Sequence, residues 1–409
     1  MSIAAPHLHA AAAGSSAGTL AGFGLSVRFI LRRNWLRLLI WALALAFMIP
    51  IVYSSQQEAF PTQAARDAYA NVANTPAIAA MTGLPYAAGS LGGILVIKIW
   101  MTLAVALGFA AIFLVTRNGR ADEEAGRTEL LRGSALGRHA FSLANYTVVG
   151  GLSAVTGLLI TLLALSDNLP AAGSWVLGGS IAGVGLAFVG ISALCGQLSS
   201  TSRGANSLGV AVLAVFYLVR AVADVNAPDT KVTALSWFSP IGWGQNMRPF
   251  SQDTWWPFLA LVVFAAACCA LALRVESRRD LGLGLLPDRR GPGNATALLA
   301  SPIGLALRLQ RATLVSWLLG SVVAGLFFGS VAKAMTSVLD PSNPYAQAFL
   351  GGTQNMLNGI MGTFVLFNAM LAGAFALQSL SGPAPRNPRD GSSPSWPAHL
   401  PARAGSPRT

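Results

Sequence analysis

Gly93-Ile-Leu-Val-Ile-Lys-Ile-Trp-Met-Thr-Leu-Ala-Val-Ala-Leu-Gly-Phe-Ala-Ala-Ile-Phe-Leu-Val-Thr116 carries one charge, Lys98, in an otherwise apolar run. A helix rises about 1.5 Å per residue, so such a run crosses a hydrocarbon core about 30 Å thick. Seven other blocks read the same way: 36–54, 141–166, 173–196, 206–224, 256–274, 312–333 and 356–379. The expected fold class is therefore an all-α polytopic integral membrane protein with eight transmembrane helices. Composition agrees: 54% of the 409 residues are hydrophobic and 10% are charged, against about a quarter charged in soluble domains.

Upstream of the first block, residues 22–34 are amphipathic. Phe23, Val27, Ile30 and Leu31 can share one face while Arg28, Arg32 and Arg33 reach headgroups. This predicts an interfacial helix preceding the first span, with an inward extension of that span as the alternative. Trp35, Trp41, Trp175, Trp255 and Trp256 fall near span ends, where aromatic rings favour the interface.

Basic residues set the orientation. With the N-terminus inside, the inner segments hold Arg28, Arg32, Arg33, Arg37, Arg117, Arg120, Arg127, Arg132, Arg138, Arg203, Arg274, Arg278, Arg279, Arg289, Arg290, Arg308 and Arg311. The outer segments hold Arg66, Lys231, Arg248 and Lys333, so the bias is 17 against 4. The positive-inside rule then predicts a multi-pass protein of the cell membrane with a cytoplasmic N-terminus. The net charge of +12 follows from the same bias and does not indicate nucleic acid.

Five regions are expected: a disordered N-terminus (1–21), a six-span unit (22–274), a cytoplasmic linker (275–311), two further spans (312–380) and a disordered tail (381–409). Leu305-Ala-Leu-Arg-Leu-Gln-Arg-Ala-Thr-Leu-Val-Ser-Trp317 echoes the basic run before Trp41. This suggests an internal repeat of which the second copy is incomplete, six spans plus two. The tail is rich in Pro, Arg and Ser. Read in a shifted frame, 386–405 allows Glu-x-Ala-Gly-Arg-Leu-Glu, an echo of Glu123-Glu-Ala-Gly-Arg-Thr-Glu129. The tail is thus expected to come from a frameshift that truncates the protein at its C-terminal end.

The most informative polar stretch follows the opening run: Arg117-Asn-Gly-Arg-Ala-Asp-Glu-Glu-Ala-Gly-Arg-Thr-Glu-Leu-Leu-Arg-Gly-Ser-Ala-Leu-Gly-Arg138. It is dense in charge of both signs, and helical spacing would pair Glu123 with Arg127. A short charged helix projecting from a membrane domain suits docking to a soluble partner, and a solvated connector is the plain alternative. Ser236-Trp-Phe-Ser-Pro-Ile-Gly-Trp-Gly-Gln-Asn-Met-Arg-Pro-Phe250 mixes helix breakers with interfacial aromatics. It reads as a partly re-entrant segment, sheltered by protein or water, or as an ordinary interfacial loop. Lys98 and Arg220 lie inside spans near their outer ends. They either snorkel outward or line an outer vestibule on the substrate pathway.

Several chemistries lack their residues. Cys195, Cys268 and Cys269 sit in apolar blocks, and the four histidines show no ligand spacing, so no metal or cofactor is expected. No phosphate-binding Gly-x-x-x-x-Gly-Lys-Ser/Thr loop, His-Glu-x-x-His or Gly-x-Ser-x-Gly is present. The sequence reads as no enzyme.

The 117–138 loop before a span, with the 236–250 segment and Trp255-Trp256-Pro257, resembles the permease subunits of ATP-binding-cassette (ABC) transporters, and most the actinobacterial antibiotic and polyketide exporter group. The resemblance covers 22–380. It implies a permease of an ATP-driven exporter for lipophilic drugs or antibiotics, with hydrolysis supplied by a cytoplasmic ABC ATPase subunit. Carried over, Glu123, Glu124, Gly126, Arg127, Glu129 and Arg132 form the ATPase-coupling loop. A homodimer or a second permease half would complete the pathway. Fused members carry a complete second half, which this sequence does not match. The alternatives are an ion-coupled secondary transporter and a non-functional truncated permease.

Overall fold

The opening run folds as α5 (Leu91–Asn118), capped where the Ser90 hydroxyl accepts from the Gly93 N–H at 3.0 Å. The computed structural model describes residues 18–74, 76–132, 136–227, 232–280 and 282–286, with scattered helical positions between 303 and 373. Among the described residues every regular element is helical, and six helices are long and apolar enough to cross a membrane. The fold class is therefore all-α and polytopic. The expected spans 312–333 and 356–379 are described only at scattered helical positions, and the tail lies outside the described residues.

The first spanning segment is α1 (Phe23–Ala46) followed, across Phe47, by α2 (Met48–Ala59). The amphipathic stretch is thus not a separate interfacial helix; it forms the first turns of α1. Nothing in 22–34 breaks a helix, and burial of Ile30 against Ala144 and Val148 continues the packing of the same rod. After α2 come two short helices, α3 (Gln63–Ala73) and α4 (Pro76–Thr82), and then α5. Two more short helices, α6 (Arg120–Glu124) and α7 (Arg127–Arg132), precede α8 (Ala140–Ser166).

Next are α9 (Ala171–Leu198) and α10 (Ser202–Val225). Then a 3₁₀ turn (Ala234–Phe238) and α11 (Pro240–Gln245) lead to α12 (Trp256–Glu276).

Helix α9 is the hub, packed against α5, α8, α10 and α12. Small residues make this approach feasible. A Cβ on Gly157 of α8 would stand 2.4 Å from the Gly178 carbonyl oxygen, and one on Gly178 would stand 2.1 Å from that of Gly157. Lipid tails are as apolar as leucine, so close backbone contact of this kind drives helix association in bilayers. The outward faces stay apolar, with Leu218, Val222, Leu259 and Val263 more than half exposed. The segment 236–250 is sheltered by protein: Pro240, Ile241, Gly242 and Gln245 are buried. The Ser239 hydroxyl accepts from the Gly242 N–H at 3.4 Å and donates to the Phe216 carbonyl of α10 at 2.8 Å, which ties the segment to the bundle.

Residues 277–286, expected in the linker, pack on the six-helix unit. The Leu285 and Leu286 N–H groups donate to the carbonyls of Gln197 and Leu198 at 3.1 and 2.9 Å.

Candidate functional site

Alternation of the six long helices gathers the start of α1, α8 and α10 and the close of α5, α9 and α12 at one end of the bundle. The charged loop folds there. Helix α5 alone exceeds the length a bilayer core requires, and the backbone bends at Gly119 into α6, so the carboxylates of α6 lie beyond the spanning part.

Glu123 is the centre of this cluster. Its two oxygens accept from Arg279 at 2.6 and 2.7 Å, from Arg120 at 2.9 Å and from the Gly282 N–H at 2.8 Å. Burial alone would raise its pKa. The paired bond from Arg279, the Gly282 N–H and the Arg120 charge override burial and hold it down, at about 2. Arg279 extends the network to the Gln197 side chain at the close of α9, 2.6 Å away. Asp122 forms a second centre, 2.6 Å from Arg33 of α1 and 3.0 Å from Arg127. Asn118 accepts from Arg33 at 2.7 Å and from Asn34 at 3.0 Å. Glu124 accepts from both the N–H and the hydroxyl of Ser202, at 2.9 and 2.6 Å, which caps α10 and keeps the carboxyl below its usual range. The loop therefore ties α1, α9, α10 and the segment after α12 to the end of α5.

The six residues assigned to a coupling surface divide under this geometry. Glu124, Arg127 and Glu129 are exposed. Glu123 is turned into the bundle. Gly126, with φ of +72°, breaks the helix between α6 and α7, a conformation glycine adopts without strain. Hence the expected Glu123–Arg127 pair does not form: Arg127 bonds Asp122, and Glu123 bonds Arg120 and Arg279. Arg132 ends α7. Sequence reading missed Arg33, Asn34, Asp122, Gln197 and Arg279 as partners, because their contacts join segments up to 156 residues apart. The one local signal was Gly126.

The two cations assigned to a substrate pathway lie at the opposite end. Lys98 is exposed, with its ammonium 5.0 Å from the Phe60 ring centre and 5.6 Å from that of Tyr69. Arg220 is fully buried. It pairs with Asp224 at 3.1 Å, donates to the carbonyls of Ala79 and Met81 at 3.3 Å each, and lies 4.7 Å from the Tyr217 ring centre. Arg220 does not snorkel and does not face open solvent. Asp224, one turn along the same helix, is the partner that spacing alone could have revealed. Among the described residues no group of His, Cys, Asp and Glu could hold a metal ion.

A hub helix in an apolar bundle of six long helices, with a charged loop gathered at one end, defines a polytopic membrane protein. Known proteins narrow this. Residues 299–384 match the family described as the C-terminal domain of the multidrug efflux system permease Rv1217c. Over 355 residues the sequence is 33% identical to the multidrug efflux system permease protein Rv1217c of Mycobacterium tuberculosis (strain ATCC 25618 / H37Rv). That alignment takes in 86% of this protein and 64% of the relative, so the match spans less than two thirds of the relative's length. The resemblance to ABC-type efflux permeases, read from 117–138 and 236–250, is borne out.

Proposed function

We propose that this protein is the membrane-spanning permease subunit of an ATP-driven exporter of lipophilic drugs or antibiotics, working with a separate cytoplasmic ATPase. The charged end of the bundle is the cytoplasmic end on this reading, with the N-terminus inside the cell. The observation that carries it is the fold of 117–132. Two short helices stand at the end where basic residues gather, presenting Arg127 and Glu129 outward while Asp122 and Glu123 grip the bundle and the exposed Glu124 caps α10. A partner pressing on α7 would move α1 and the close of α12 through ion pairs rather than through a loose connector. The similarity to an efflux permease supports the drug-export part of the reading. A homodimer or a second permease half would complete the pathway.

The test is co-purification with an ABC ATPase encoded beside it. Glu129→Lys combined with Arg127→Glu should abolish the complex and the permease-dependent ATP hydrolysis while the permease still purifies folded. A complex that survives both changes would sink the assignment.

A further inference from the structure

At the end opposite the charged cluster, residues 61–74 and 76–90 form a cap of α3, α4 and the turn before α5. Among its described residues, prolines aside, the buried apolar side chains are Ala73, Ala79, Leu84 and Ala88, of which Leu84 alone is large. The buried residues joining it to α5 are Ala73, Ala88 and Ile97, with Tyr69 and Ala70 beside them. Segments with little apolar burial open locally before the rest of a protein does. The cap is instead held by two cations rising from two different spanning helices. Lys98 of α5 places its ammonium against Phe60 and Tyr69, whose ring centres are 4.9 Å apart. Arg220 of α10 donates to the carbonyls of Ala79 and Met81 in the last turn of α4, where orphan carbonyls favour a cation. Tyr217 of α10 adds a bond from its hydroxyl to the Met81 carbonyl at 3.3 Å.

Beneath the cap is a pocket lined by Leu84, Tyr86, Val96, Trp100, Gln245 and Arg248. Gln245 is 7% exposed; its amide nitrogen faces the Asp224 carboxylate, and its amide oxygen makes no hydrogen bond. The pocket wall continues into a stretch where Arg248, Phe250 and Asp253 all have positive φ, a conformation that costs energy for residues with a Cβ. Closure thus leaves a buried amide oxygen unsatisfied beside a strained wall, and opening would hydrate it. The closed state needs compensating contacts, and the two cations supply them.

We propose that residues 61–74 and 76–90 form a lid over this pocket, latched from below by Lys98 and Arg220. It rests on the geometry of the cap and not on the transport reading.

The experiment uses the full-length protein in lipid nanodiscs, where a thiol reagent reaches both faces. Cys268 and Cys269 are replaced by Ala. Cys195, buried in α9, is kept as a reporter of global unfolding, and Leu84→Cys reports the pocket. Lys98→Met and, separately, Tyr69→Leu should speed maleimide labelling of Leu84→Cys about two- to fivefold, the range for losing one exposed cation–π contact, with Cys195 still unlabelled. Lys98→Arg should leave the rate near that of the parent. Unchanged labelling in both latch variants would overturn the proposal. So would joint labelling of Leu84→Cys and Cys195, because the cap would then open only with the whole bundle.

Discussion

Glu123→Gln is the most informative single change at the charged end. Glutamine keeps the shape of the side chain but loses its charge, and its amide NH₂ turns toward donors. The pair it disrupts is largely desolvated: the Glu123 and Arg279 side chains are 9% and 8% exposed, and Arg120 is 1% exposed. Removing one partner of a buried ion pair costs about 3–5 kcal/mol. One arginine can still bond the remaining amide oxygen, so about 3 kcal/mol is the working figure, taking charge-assisted bonds at roughly 1.5–3 kcal/mol each. The segment most affected is 277–286, which Glu123 holds through Arg279 and Gly282. Its local opening should therefore rise about a hundredfold, at 1.4 kcal/mol per factor of ten.

Hydrogen exchange of the Leu285 and Leu286 amides, which bond the end of α9, reads this opening directly. The pH dependence is fixed by the sign of the shift. A carboxyl lowered to about 2 contributes fully above its unfolded value near ~4.3, and the contribution fades as pH falls through about 2. The ratio of variant to parent opening should thus be flat between about pH 6 and pH 8. Exchange changed less than about threefold would refute the view that Glu123 anchors this segment.

Three further outcomes follow from the same contacts. Arg220→Met leaves Asp224, 5% exposed, as an uncompensated charge and should lower stability by about 3–5 kcal/mol; adding Asp224→Asn should restore part of it, seen as recovered folded yield in detergent. Gly178→Leu inserts a side chain where even a Cβ would meet the Gly157 carbonyl at 2.1 Å. It should cost about 1–3 kcal/mol or more by overpacking, measured by thermal unfolding, whereas Gly151→Ala, with open space around it, should be silent. Ser180→Ala removes the acceptor of the buried Trp100 indole N–H, bonded at 2.7 Å, and should cost about 1–3 kcal/mol with a shift in tryptophan emission.

The long helices were legible because a bilayer imposes one rule on every span. Backbone groups must bond within the helix, so an apolar run of sufficient length has one solution. The run 93–116 lies within α5 and 173–196 within α9. Contacts between helices obey no such rule. Whether Arg220 finds solvent or Asp224 depends on α4 being folded over it, and α4 is a short helix whose sequence, Pro76–Thr82, carries no periodic signal. The 236–250 segment shows the same limit. Its prolines and glycines announce irregular backbone, but only the packing of α11 against α9, α10 and α12 decides between shelter and exposure.

The charged loop makes the point most sharply. An i, i+4 pairing between Glu123 and Arg127 assumes that the helix continues between them. Gly126 at positive φ ends that continuity, and the two side chains turn apart, Arg127 to Asp122 and Glu123 to Arg120 and Arg279. The consequence reaches the functional argument. A coupling helix that paired its own charges would be a self-contained peg, able to rock without pulling anything. Here two pairs stay within the loop, Arg120 with Glu123 and Arg127 with Asp122, but each carboxylate also reaches another segment: Asp122 reaches α1, Glu124 reaches α10, and Glu123 reaches the residues after α12. Any force on α7 then divides between the first and last spans of the unit. Surface replacements at Arg127 and Glu129 should weaken docking while leaving 277–286 in place. Replacement of Glu123 should free 277–286 while leaving the docking face intact. If the two classes gave one phenotype, the division of the loop into an outward face and an inward anchor would be wrong.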